Sequence, residues 1–453
     1  MDVSLKVMST HVVEPHESND FSGSNSQVFA APRIVARTVA IEPLDPSVSA
    51  LIDLLPANGP LAWIRRGEGI IGWGEVARFE SRGKDRFDQA ISVWNDIRSH
   101  AIIRDEVGRP GTGPVAFGTF GFSYSTQSPS VLLVPKVIVG RKGDTCWLTT
   151  ITTAAAPFEG AFDVESLTAG HTEVSAPGEV TFADGSQTKD SWKSVVAHAI
   201  ELIRGEKLDK IVLARDITAT TEHPIDVRHL LRNLSSMYEN CWTFSVDGMV
   251  GATPELLVRT EKGLVTSRVL AGTIQRTGHE GTDTARAAML AHSSKDLEEH
   301  EYAVRSVADA LQPYCSSMNV PESPFVLHLP NVLHLASDVA AVVDTTAGAT
   351  SLSLAKALHP TAAVCGTPTV KAAETILAIE GMDRSRYAGP VGWFGADGDG
   401  EWGIALRSAE LNSQDPHSIR LFAGCGIVAA SDPESELAET VAKFAPMRQA
   451  LTE

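Results

Sequence analysis

Two segments of the sequence place an ionisable side chain at the start of an apolar run that reads as a β-strand. The segment KIVLARDI begins with Lys210, and the four apolar residues that follow predict a strand covered on both faces. In GATPELLV, Glu255 follows Pro254 in a predicted strand whose two faces are again apolar. Burial disfavours the charged form, so it lowers the pKa of an amine and raises the pKa of a carboxyl. Lys210 can therefore serve as a general base and Glu255 as a general acid near neutral pH.

Both residues also have a purely structural interpretation. A lysine at the end of a strand commonly extends its amine to water. A glutamate at the edge of a sheet commonly stays solvated. The two segments taken alone leave both interpretations open.

The last predicted helix carries two carboxylates and an amine on one face. In SDPESELAETVAKF, Asp432 suits the N-cap and Pro433 suits the first helical position. Glu436, Glu439 and Lys443 follow at spacings of three and four residues, which places them on one face. Two carboxylates one turn apart can share a hard cation such as Mg²⁺, with waters and substrate oxygens as further ligands. The same spacing is also typical of a solvated face with an ion pair.

A long predicted helix, KDLEEHEYAVRSVADALQPY, adds a further carboxylate. A helical wheel places Glu299 and Glu301 at the two borders of its apolar stripe, and periodicity does not choose between them. His300 points into the stripe, so we predict that it is a packed core histidine.

One arginine stands among small residues in a predicted strand. In EWGIALRSAEL, alternation places Arg407 on the same face as Gly403 and Ala405. These small neighbours leave room for a ligand carboxylate to bind the guanidinium through two hydrogen bonds. A structural ion pair is the alternative role for Arg407.

The predicted strands and helices, and the candidate residues that they carry, are distributed unevenly along the chain. Residues 1–32, which contain SNDFSGSNSQ, are polar and rich in glycine and serine, so we predict a disordered leader. Residues 33–185 contain short β-like runs and one helix and carry few candidate catalytic groups. Residues 186–453 alternate strands with helices and hold every candidate named above. Many of the strands are joined by short turns, which predicts an α+β fold with large antiparallel sheets.

Composition excludes several classes of function. At 453 residues the chain can bury an extensive core, and its formal net charge of -18 argues against polyanionic partners such as nucleic acid or an anionic membrane surface. Five widely spaced cysteines without a CxxC pair are typical of inert thiols in a reducing cytoplasm. No apolar run approaches the length of a membrane span. We therefore expect a soluble, cytoplasmic protein.

Eight motifs, in order, resemble those of the chorismate-utilising enzymes, and among them the isochorismate synthases. The resemblance covers roughly Ser191 to Phe444, with a weaker N-terminal half. It implies a large α+β assembly of two layered antiparallel β-sheets flanked by helices, with the active site in a cleft between sheets in the C-terminal half. The motifs are KIVLAR, GATPELL, LAGTIQR, SSKDLEEHE, LHLAS, LHPTAAVCGTP, YAGPVGWFGADGDGEWGIALR and AGCGIVAASDPESELAET.

The resemblance implies a role for each candidate residue. Lys210 matches the base that deprotonates the water attacking carbon 2 of chorismate, and Glu255 matches the acid that protonates the hydroxyl leaving carbon 4. Glu299 and Glu439 match the metal-binding carboxylates, with Glu436 close by, and the metal is expected to be Mg²⁺. Arg407 and Lys443 are expected to bind the substrate carboxylates. Further positions that match the substrate pocket are Gly272, Thr273, His334, Ala363, Tyr387 and Gly424.

Rival activities differ from this expectation at particular positions. Anthranilate and aminodeoxychorismate synthase subunits use ammonia from a glutaminase partner and usually carry glutamine in place of Lys210, so the lysine favours water as nucleophile and no glutaminase partner. Salicylate synthases keep the lysine and go on to eliminate pyruvate, but commonly have threonine in place of Ala363. A catalytically inactive binding subunit is the third alternative. We predict a monomeric isochorismate synthase that feeds menaquinone or siderophore biosynthesis.

Overall fold

β-Strands from all along the chain assemble into two large, mostly antiparallel sheets. The computed structural model describes residues 31–45, 47, 50–153, 164–168, 171–329, 332–344, 346 and 348–453. The predicted disordered leader, residues 1–32, lies outside the described residues except for its last two. Within the described residues, none of the helices is long and apolar enough to cross a membrane.

The strands, in chain order, are β1 (Ile34–Ile41), β2 (Leu61–Arg65), β3 (Glu68–Trp73), β4 (Ala77–Ser81), β5 (Ile102–Asp105), β6 (Val115–Thr119), β7 (Ser130–Val134), β8 (Val137–Lys142), β9 (Thr145–Thr153), β10 (Val180–Asp184), β11 (Lys210–Thr221), β12 (Trp242–Val246), β13 (Met249–Thr253), β14 (Leu256–Glu261), β15 (Leu264–Gln275), β16 (Cys315–Asn319), β17 (Phe325–His328), β18 (Val332–Val343), β19 (Gly366–Thr367), β20 (Pro390–Gly395), β21 (Gly400–Ile404), β22 (Ser408–Leu411) and β23 (Ser418–Ile427).

The α-helices are α1 (Arg86–Ser99), α2 (Val164–Thr168), α3 (Lys189–Arg204), α4 (Val227–Met237), α5 (Glu280–His292), α6 (Ser294–Leu311), α7 (Ser351–Leu358), α8 (Thr369–Ile379) and α9 (Pro433–Thr452). Two short 3₁₀ helices cover Ile52–Leu54 and Gln312–Tyr314.

Counted over the described residues, the first sheet has thirteen strands and the second has ten. The first follows the order β10-β11-β23-β22-β13-β12-β2-β3-β8-β9-β1-β5, with β19 also paired to β11. The second follows the order β16-β18-β15-β14-β21-β20-β6-β7-β4, with β17 also paired to β18. In the part of the chain that the structure describes, β1 pairs with β5 in parallel and the other strand pairs are antiparallel. The prediction of an α+β fold with two large antiparallel sheets is confirmed.

Strands from residues 33–185 take part in both sheets. Strands β2, β3, β8 and β9 extend the first sheet, whereas β4, β6 and β7 extend the second. Residues Ala31–Glu453 form one compact unit. The N-terminal part therefore completes the same sheets that carry the candidate residues, and the functional division near residue 185 stays a prediction.

Two of the several crossovers by which the chain passes between the two sheets are neighbours. Strand β13 of the first sheet ends at Thr253 and β14 of the second begins at Leu256, which leaves Pro254 and Glu255 in the first crossover. Strand β21 of the second sheet ends at Ile404 and β22 of the first begins at Ser408, which makes residues 405–407 the second crossover.

Hydrogen bonds join each crossover to the strand that leads into the other. The amide of Ile404 donates to the Glu255 carbonyl over 3.2 Å, and the amide of Ala252 donates to the Arg407 carbonyl over 3.2 Å. The sequence predicts continuous strands through Glu255 and Arg407, and both predictions are wrong at these positions. The physical reason is that the carbonyls of Glu255 and Arg407 each accept a hydrogen bond from a strand about 150 residues away along the chain.

Helix α9 is fixed to the first sheet by an apolar face and by one buried arginine. Phe444 and Met447 of α9 join the core cluster of the first sheet, together with Leu230 and Leu234 of α4. Each such buried side chain contributes roughly 1.5–3 kcal/mol to folding. Arg215 of β11, which is 2% exposed, donates to the Thr440 hydroxyl over 3.4 Å and lies 5.4 Å from the Phe444 ring. The core thus holds the helix that carries Glu436, Glu439 and Lys443.

Candidate active site

A cavity of about 250 Å³ lies where the two crossovers meet β11, β15, α6 and α9. Eleven of the thirteen predicted site residues line it: Lys210, Glu255, Gly272, Thr273, Glu299, His334, Ala363, Arg407, Glu436, Glu439 and Lys443. The remaining two, Tyr387 and Gly424, line an adjoining space of about 70 Å³ that shares Ala363, Arg407 and Lys443 with the main cavity. The structure therefore gathers all thirteen residues in one region.

Lys210 is the first residue of β11, and its side chain extends into the cavity. The four residues that follow, from Ile211 to Ala214, are each at most 7% exposed, so the predicted strand with two covered faces is confirmed. Burial lowers the pKa of Lys210 below its ordinary value. The nearby charges of Glu299 and Glu255 oppose this shift, and that of Lys443 adds to it. The amine is thus biased towards the neutral form that a base requires.

Glu255 lies in the first crossover and is 5% exposed. Its amide donates to the Thr253 hydroxyl over 3.2 Å, which helps to hold the turn between the sheets. Burial raises the pKa of its carboxyl to about 8, although Lys210 and Arg407 act in the opposite direction. A carboxyl with this pKa keeps its proton at neutral pH, as a general acid must.

Arg407 projects into the cavity from the second crossover. Its backbone is left-handed, with φ of +48°, a conformation that costs a residue with a side chain some strain. Among the described residues no carboxylate forms an ion pair with its guanidinium and no group hydrogen-bonds it. Burial lowers its pKa. The guanidinium is therefore available for a ligand anion, as expected for a substrate carboxylate.

Gly272, Thr273 and His334 form one wall through a β-bulge. The register between β15 and β18 shifts between Ala271 and Thr273, and Gly272 at the bulge has φ of +78°. Thr273 and His334 are cross-strand partners, with 2.9 Å between the threonine hydroxyl and the histidine Nδ1. Burial lowers the pKa of His334 to about 3, so the ring is neutral. Its Nε2 is buried and hydrogen-bonds no group that the structure describes.

Helix α6 resolves the choice between its two border glutamates. Glu299 lines the cavity, whereas Glu301 is exposed and pairs with Arg305 over 2.5 Å. His300 packs in the core, with 2.8 Å between its Nε2 and the Ser337 hydroxyl. The predicted core role of His300 is confirmed.

Helix α9 presents Glu436, Glu439 and Lys443 to the cavity on one face. Lys443 bonds Glu439 over 2.6 Å and donates to the Gly424 carbonyl over 2.8 Å. Burial raises the pKa of Glu436, and the charge of Glu439 adds to that shift. The face is therefore partly desolvated, unlike the solvated helix face that was the alternative.

The carboxylates around the cavity suit a hard cation that takes its remaining ligands from water and from the substrate. Among the described residues, no three carboxylate, imidazole or thiol groups gather closely enough to hold a metal ion by themselves. Mg²⁺ is usually held by one or two carboxylates plus waters and substrate oxygens, so it needs no complete protein cage. Glu299, Glu436 and Glu439 place carboxylates around one cavity, so one or two of them at a time, with waters and substrate oxygens, fit this requirement.

Ala363 lies in the segment between α7 and β19, beside β11. Arg384 ties this segment to the strand by donating to the carbonyls of Val364 over 3.0 Å and Val212 over 2.7 Å. The buried carboxylate of Glu380 accepts from Arg384 and from the Ala214 amide over 2.8 Å. This ion pair holds Ala363 and Lys210 on one rigid support.

Tyr387 and Gly424 shape the adjoining space. Tyr387 stacks on Phe422 with ring centroids 5.1 Å apart, and burial raises the pKa of its hydroxyl to about 12. A Cβ at Gly424 would lie 3.3 Å from that hydroxyl and 3.0 Å from the Leu213 carbonyl. Glycine therefore keeps this side of the site open.

Sequence reasoning did not select eight of the residues that line the cavity, and three of these bear on its polarity or its shape: Asp296, Gly426 and Ser431. Asp296 precedes Glu299 by one turn of α6, a spacing that could have identified it. Gly426 alternates with Gly424 along β23 and therefore shares its face. The Ser431 hydroxyl accepts from the Val428 amide over 3.1 Å and hydrogen-bonds Glu436, a contact with no sequence signal.

Comparisons with known proteins point to one enzyme family. A family model described as "Chorismate binding enzyme" matches residues 24–452. "Isochorismate synthase DhbC" of Bacillus subtilis is 41% identical over 273 residues, which are 58% of this chain and 68% of that protein. "Isochorismate synthase MenF" of the same organism is 30% identical over 405 residues, 84% of this chain and 85% of that protein.

A solved structure shows the same fold over most of the chain. It is the putative 2,3-dihydroxybenzoate-specific isochorismate synthase DhbC from Bacillus anthracis, with a TM-score of 0.72 and 31% sequence identity. The match covers 89% of this chain and 99% of that chain.

Proposed function

This chain belongs to the chorismate binding enzyme family, and we propose that it is an isochorismate synthase, an isomerase that converts chorismate to isochorismate. The observation that carries the proposal is the pairing, around one cavity, of a lysine with a lowered pKa and a glutamate with a raised pKa. Residues whose environments push their pKa values apart in this way are typical of a base and an acid working together.

Lys210 and Glu255 divide the proton transfers between them. The neutral Lys210 amine takes a proton from the water that attacks carbon 2 of chorismate. The ring double bonds shift, and the carbon 4 hydroxyl leaves with the proton that Glu255 donates. One water is added and one is released, so the reaction is an isomerisation. Each proton transfer of this kind typically accelerates a reaction by about 10² to 10⁴-fold.

Positively charged and neutral polar groups hold the substrate. Arg407 and Lys443 are our choices for the two substrate carboxylates, because both cations face the cavity of a protein whose net charge is -18. The neutral His334 ring offers its buried Nε2 to a hydroxyl of the substrate or of the attacking water.

The reaction is expected to need Mg²⁺. Glu299, Glu436 and Glu439 would hold the ion, which would supply a fixed positive charge for the ring carboxylate of chorismate. The residues of the chain then have the tasks of orienting the ring and moving protons at carbons 2 and 4.

Water as the nucleophile removes the need for ammonia. We therefore expect the enzyme to act without a glutaminase subunit, as a cytoplasmic monomer whose product feeds menaquinone or siderophore biosynthesis. A catalytically inactive binding subunit would not need a buried acid opposite a buried base, because burying either group costs free energy.

The experiment that tests the proposal is product analysis in isotopic water. We would incubate the purified chain with chorismate and MgCl₂ in H₂¹⁸O and identify products by chromatography and mass spectrometry. The expected result is isochorismate that carries one ¹⁸O at carbon 2 at early times, in reversible equilibrium with chorismate. Unchanged chorismate, or salicylate and pyruvate as the main products, would contradict the proposal.

A further inference from the structure

A second, much smaller chamber lies on the other side of Glu255. It has a volume of about 10 Å³, and its walls include Glu255, Leu257, Ser267, Thr361 and Ala363. Glu255 and Ala363 also line the large cavity, so these two residues separate the two spaces. The proposed general acid therefore has one side towards the substrate and one side towards this chamber.

Thr361 lines the chamber, and its hydroxyl has no hydrogen-bond partner among the described residues. Oγ1 of Thr361 is buried and hydrogen-bonds no group that the structure describes. Most of the wall around it is apolar, so a valine would fill the same space without leaving a polar atom unsatisfied. A buried hydroxyl without a hydrogen bond costs free energy, so a polar partner is expected inside the chamber.

One water molecule matches the size and the polarity of the chamber. A buried water needs on the order of 10–15 Å³ and two to four polar partners. The residues that line the chamber include three with a hydroxyl or carboxyl group that can bond a water: Thr361, Glu255 and Ser267. The Ser267 hydroxyl donates to the Leu257 carbonyl over 2.7 Å, which leaves its oxygen free to accept.

We infer that Thr361 is a positioning residue for Glu255, because its hydroxyl binds a water in the chamber and that water donates to one oxygen of the Glu255 carboxyl. The other carboxyl oxygen then carries the proton and faces the large cavity. This inference rests on the proposed function, because it assigns the water to the general acid of that reaction. Rotation of the carboxyl away from the substrate is thereby opposed.

The water also belongs to the set of groups that decide when Glu255 loses its proton. Cations face the carboxyl from β11 (Lys210), the second crossover (Arg407) and α9 (Lys443). On the chamber side Arg268 of β15 is already paired with Asp338 over 2.7 Å. A donor to the carboxylate favours its charged form and lowers its pKa. Loss of the water should therefore raise the pKa of Glu255.

The test compares Thr361→Val with Thr361→Ser in steady-state kinetics across pH. Thr361→Val should lower kcat about tenfold with KM changed less than about twofold, because orientation of the acid matters only in the chemical step. Its activity should also persist to higher pH, because protonated Glu255 is the active form. Thr361→Ser should restore both kcat and the pH profile. Wild-type kcat and profile in Thr361→Val would overturn the inference.

A matched control is available on another strand. Oγ1 of Thr119 on β6 is also buried and hydrogen-bonds no group among the described residues, but Thr119 lines neither the cavity nor the chamber. Thr119→Val should keep the wild-type kcat and pH profile. An equal loss in Thr119→Val and Thr361→Val would show a general packing effect and overturn the inference.

Crystal structures test the water without any turnover. Wild type and Thr361→Ser should show an ordered water within hydrogen-bond distance of residue 361 and Glu255, and Thr361→Val should lack it. A wild-type chamber without that water overturns the inference even if the enzyme makes isochorismate. A wild type that leaves chorismate unchanged instead overturns the proposed function.

Discussion

The side chain of Lys210 occupies the space that a side chain at Gly426 would need. The two residues lie on the neighbouring antiparallel strands β11 and β23, where Val212 is the direct partner of Gly426. A Cβ at position 426 would lie 2.9 Å from Cε and 3.5 Å from Nζ of Lys210. Glycine at 426 therefore lets the lysine cross its neighbouring strand and bring its amine into the cavity.

Removal of this amine should abolish most turnover without unfolding the protein. We expect Lys210→Ala to lower kcat at saturating chorismate by about 10² to 10⁴-fold, the usual contribution of a general base. Circular dichroism and thermal unfolding would check the fold. Lys193→Ala is the control, because the ion pairs of Lys193 on α3 with Asp190 and Glu434 lie at the surface, away from the cavity. A near wild-type rate in Lys210→Ala would remove the proposed role.

Replacement of the buried Glu255 by glutamine should lower kcat and raise the free energy of unfolding at alkaline pH. The pKa of Glu255 in the folded protein, about 8, lies above the 4.5 of an ordinary glutamate. The folded protein therefore binds more protons than the unfolded chain between these values, and stability falls as pH rises through that window. Glu255→Gln cannot lose this proton. We expect it to lower kcat by about 10² to 10⁴-fold.

The stability of Glu255→Gln should exceed that of wild type at pH 8. Each unit of raised pKa corresponds to about 1.4 kcal/mol of unfolding free energy, and the difference should narrow towards pH 5. Urea unfolding at pH 5, 7 and 8 would measure it. A variant that is less stable than wild type at pH 8 would contradict the burial of a protonated carboxyl.

Sequence alone predicted the residue types of the site better than the backbone that presents them. The covered strand after Lys210 and the single face of Glu436, Glu439 and Lys443 follow from local periodicity, which a sequence displays directly. The N-cap at Asp432 is also local, and its side chain accepts from the Ser435 amide. These features needed no knowledge of distant contacts.

The features that sequence reasoning missed depend on contacts between distant segments. Alternation extends strands through Glu255 and Arg407, because it cannot show that the two crossovers exchange hydrogen bonds with each other's strands. The choice of Glu299 over Glu301 also required the packing of α6 on β15 and β18. The chamber beside Thr361 forms between β15, α6 and the segment before β19, so no single segment predicts it.

The two pKa shifts predict a bell-shaped pH dependence. Activity should rise with pH as Lys210 loses its proton, and burial moves this rise below the ordinary lysine pKa. Activity should fall as pH passes about 8, where Glu255 loses its proton. Because Lys210 and Glu255 interact, the two apparent pKa values of the pH profile describe the pair and not either residue alone. Measurement of kcat/KM from pH 5 to 10 would show this dependence. A value of kcat/KM that keeps rising above pH 9 would contradict the role of Glu255 as the general acid.

Activity should require Mg²⁺ and vanish in EDTA. Without the cation, the carboxylates of Glu299, Glu436 and Glu439 would repel those of the substrate. Glu439→Gln should raise the Mg²⁺ concentration for half-maximal activity by at least about tenfold. Mutation of a residue that merely hydrogen-bonds a metal ligand already lowers metal affinity by about tenfold or more, and loss of the ligand itself should lower it at least as much. Titration calorimetry with Mg²⁺ would give the affinity independently of turnover.

The control for the metal prediction lies on the same helix. Glu434 of α9 is exposed and pairs with Lys193 at the surface over 2.6 Å. Glu434→Gln should leave the Mg²⁺ requirement unchanged. Full activity of the wild type in chelator, or equal effects of Glu434→Gln and Glu439→Gln, would argue against the proposed ligands.

The product should be decided at Ala363. This residue lines the large cavity and the adjoining space beside Tyr387, whereas its neighbour Ala362 reaches only the small chamber. Elimination of pyruvate moves the carbon 2 hydrogen to the enolpyruvyl group through a compact cyclic arrangement. A hydroxyl at 363 could hold that group or order a water beside it, and alanine offers neither contact. Isochorismate should therefore leave before it eliminates.

Ala363→Thr should raise the fraction of salicylate and pyruvate about tenfold or more over that of wild type, because a hydroxyl that holds the enolpyruvyl group close to carbon 2 favours the intramolecular transfer. Salicylate fluorescence during a chorismate time course, together with a coupled assay for pyruvate, would measure both products. Ala362→Thr is the matched control, and it should leave the product ratio unchanged because its side chain does not reach the large cavity. Salicylate as the dominant product of the unmodified protein would instead identify a salicylate synthase. It would also show that alanine at position 363 does not prevent the elimination of pyruvate.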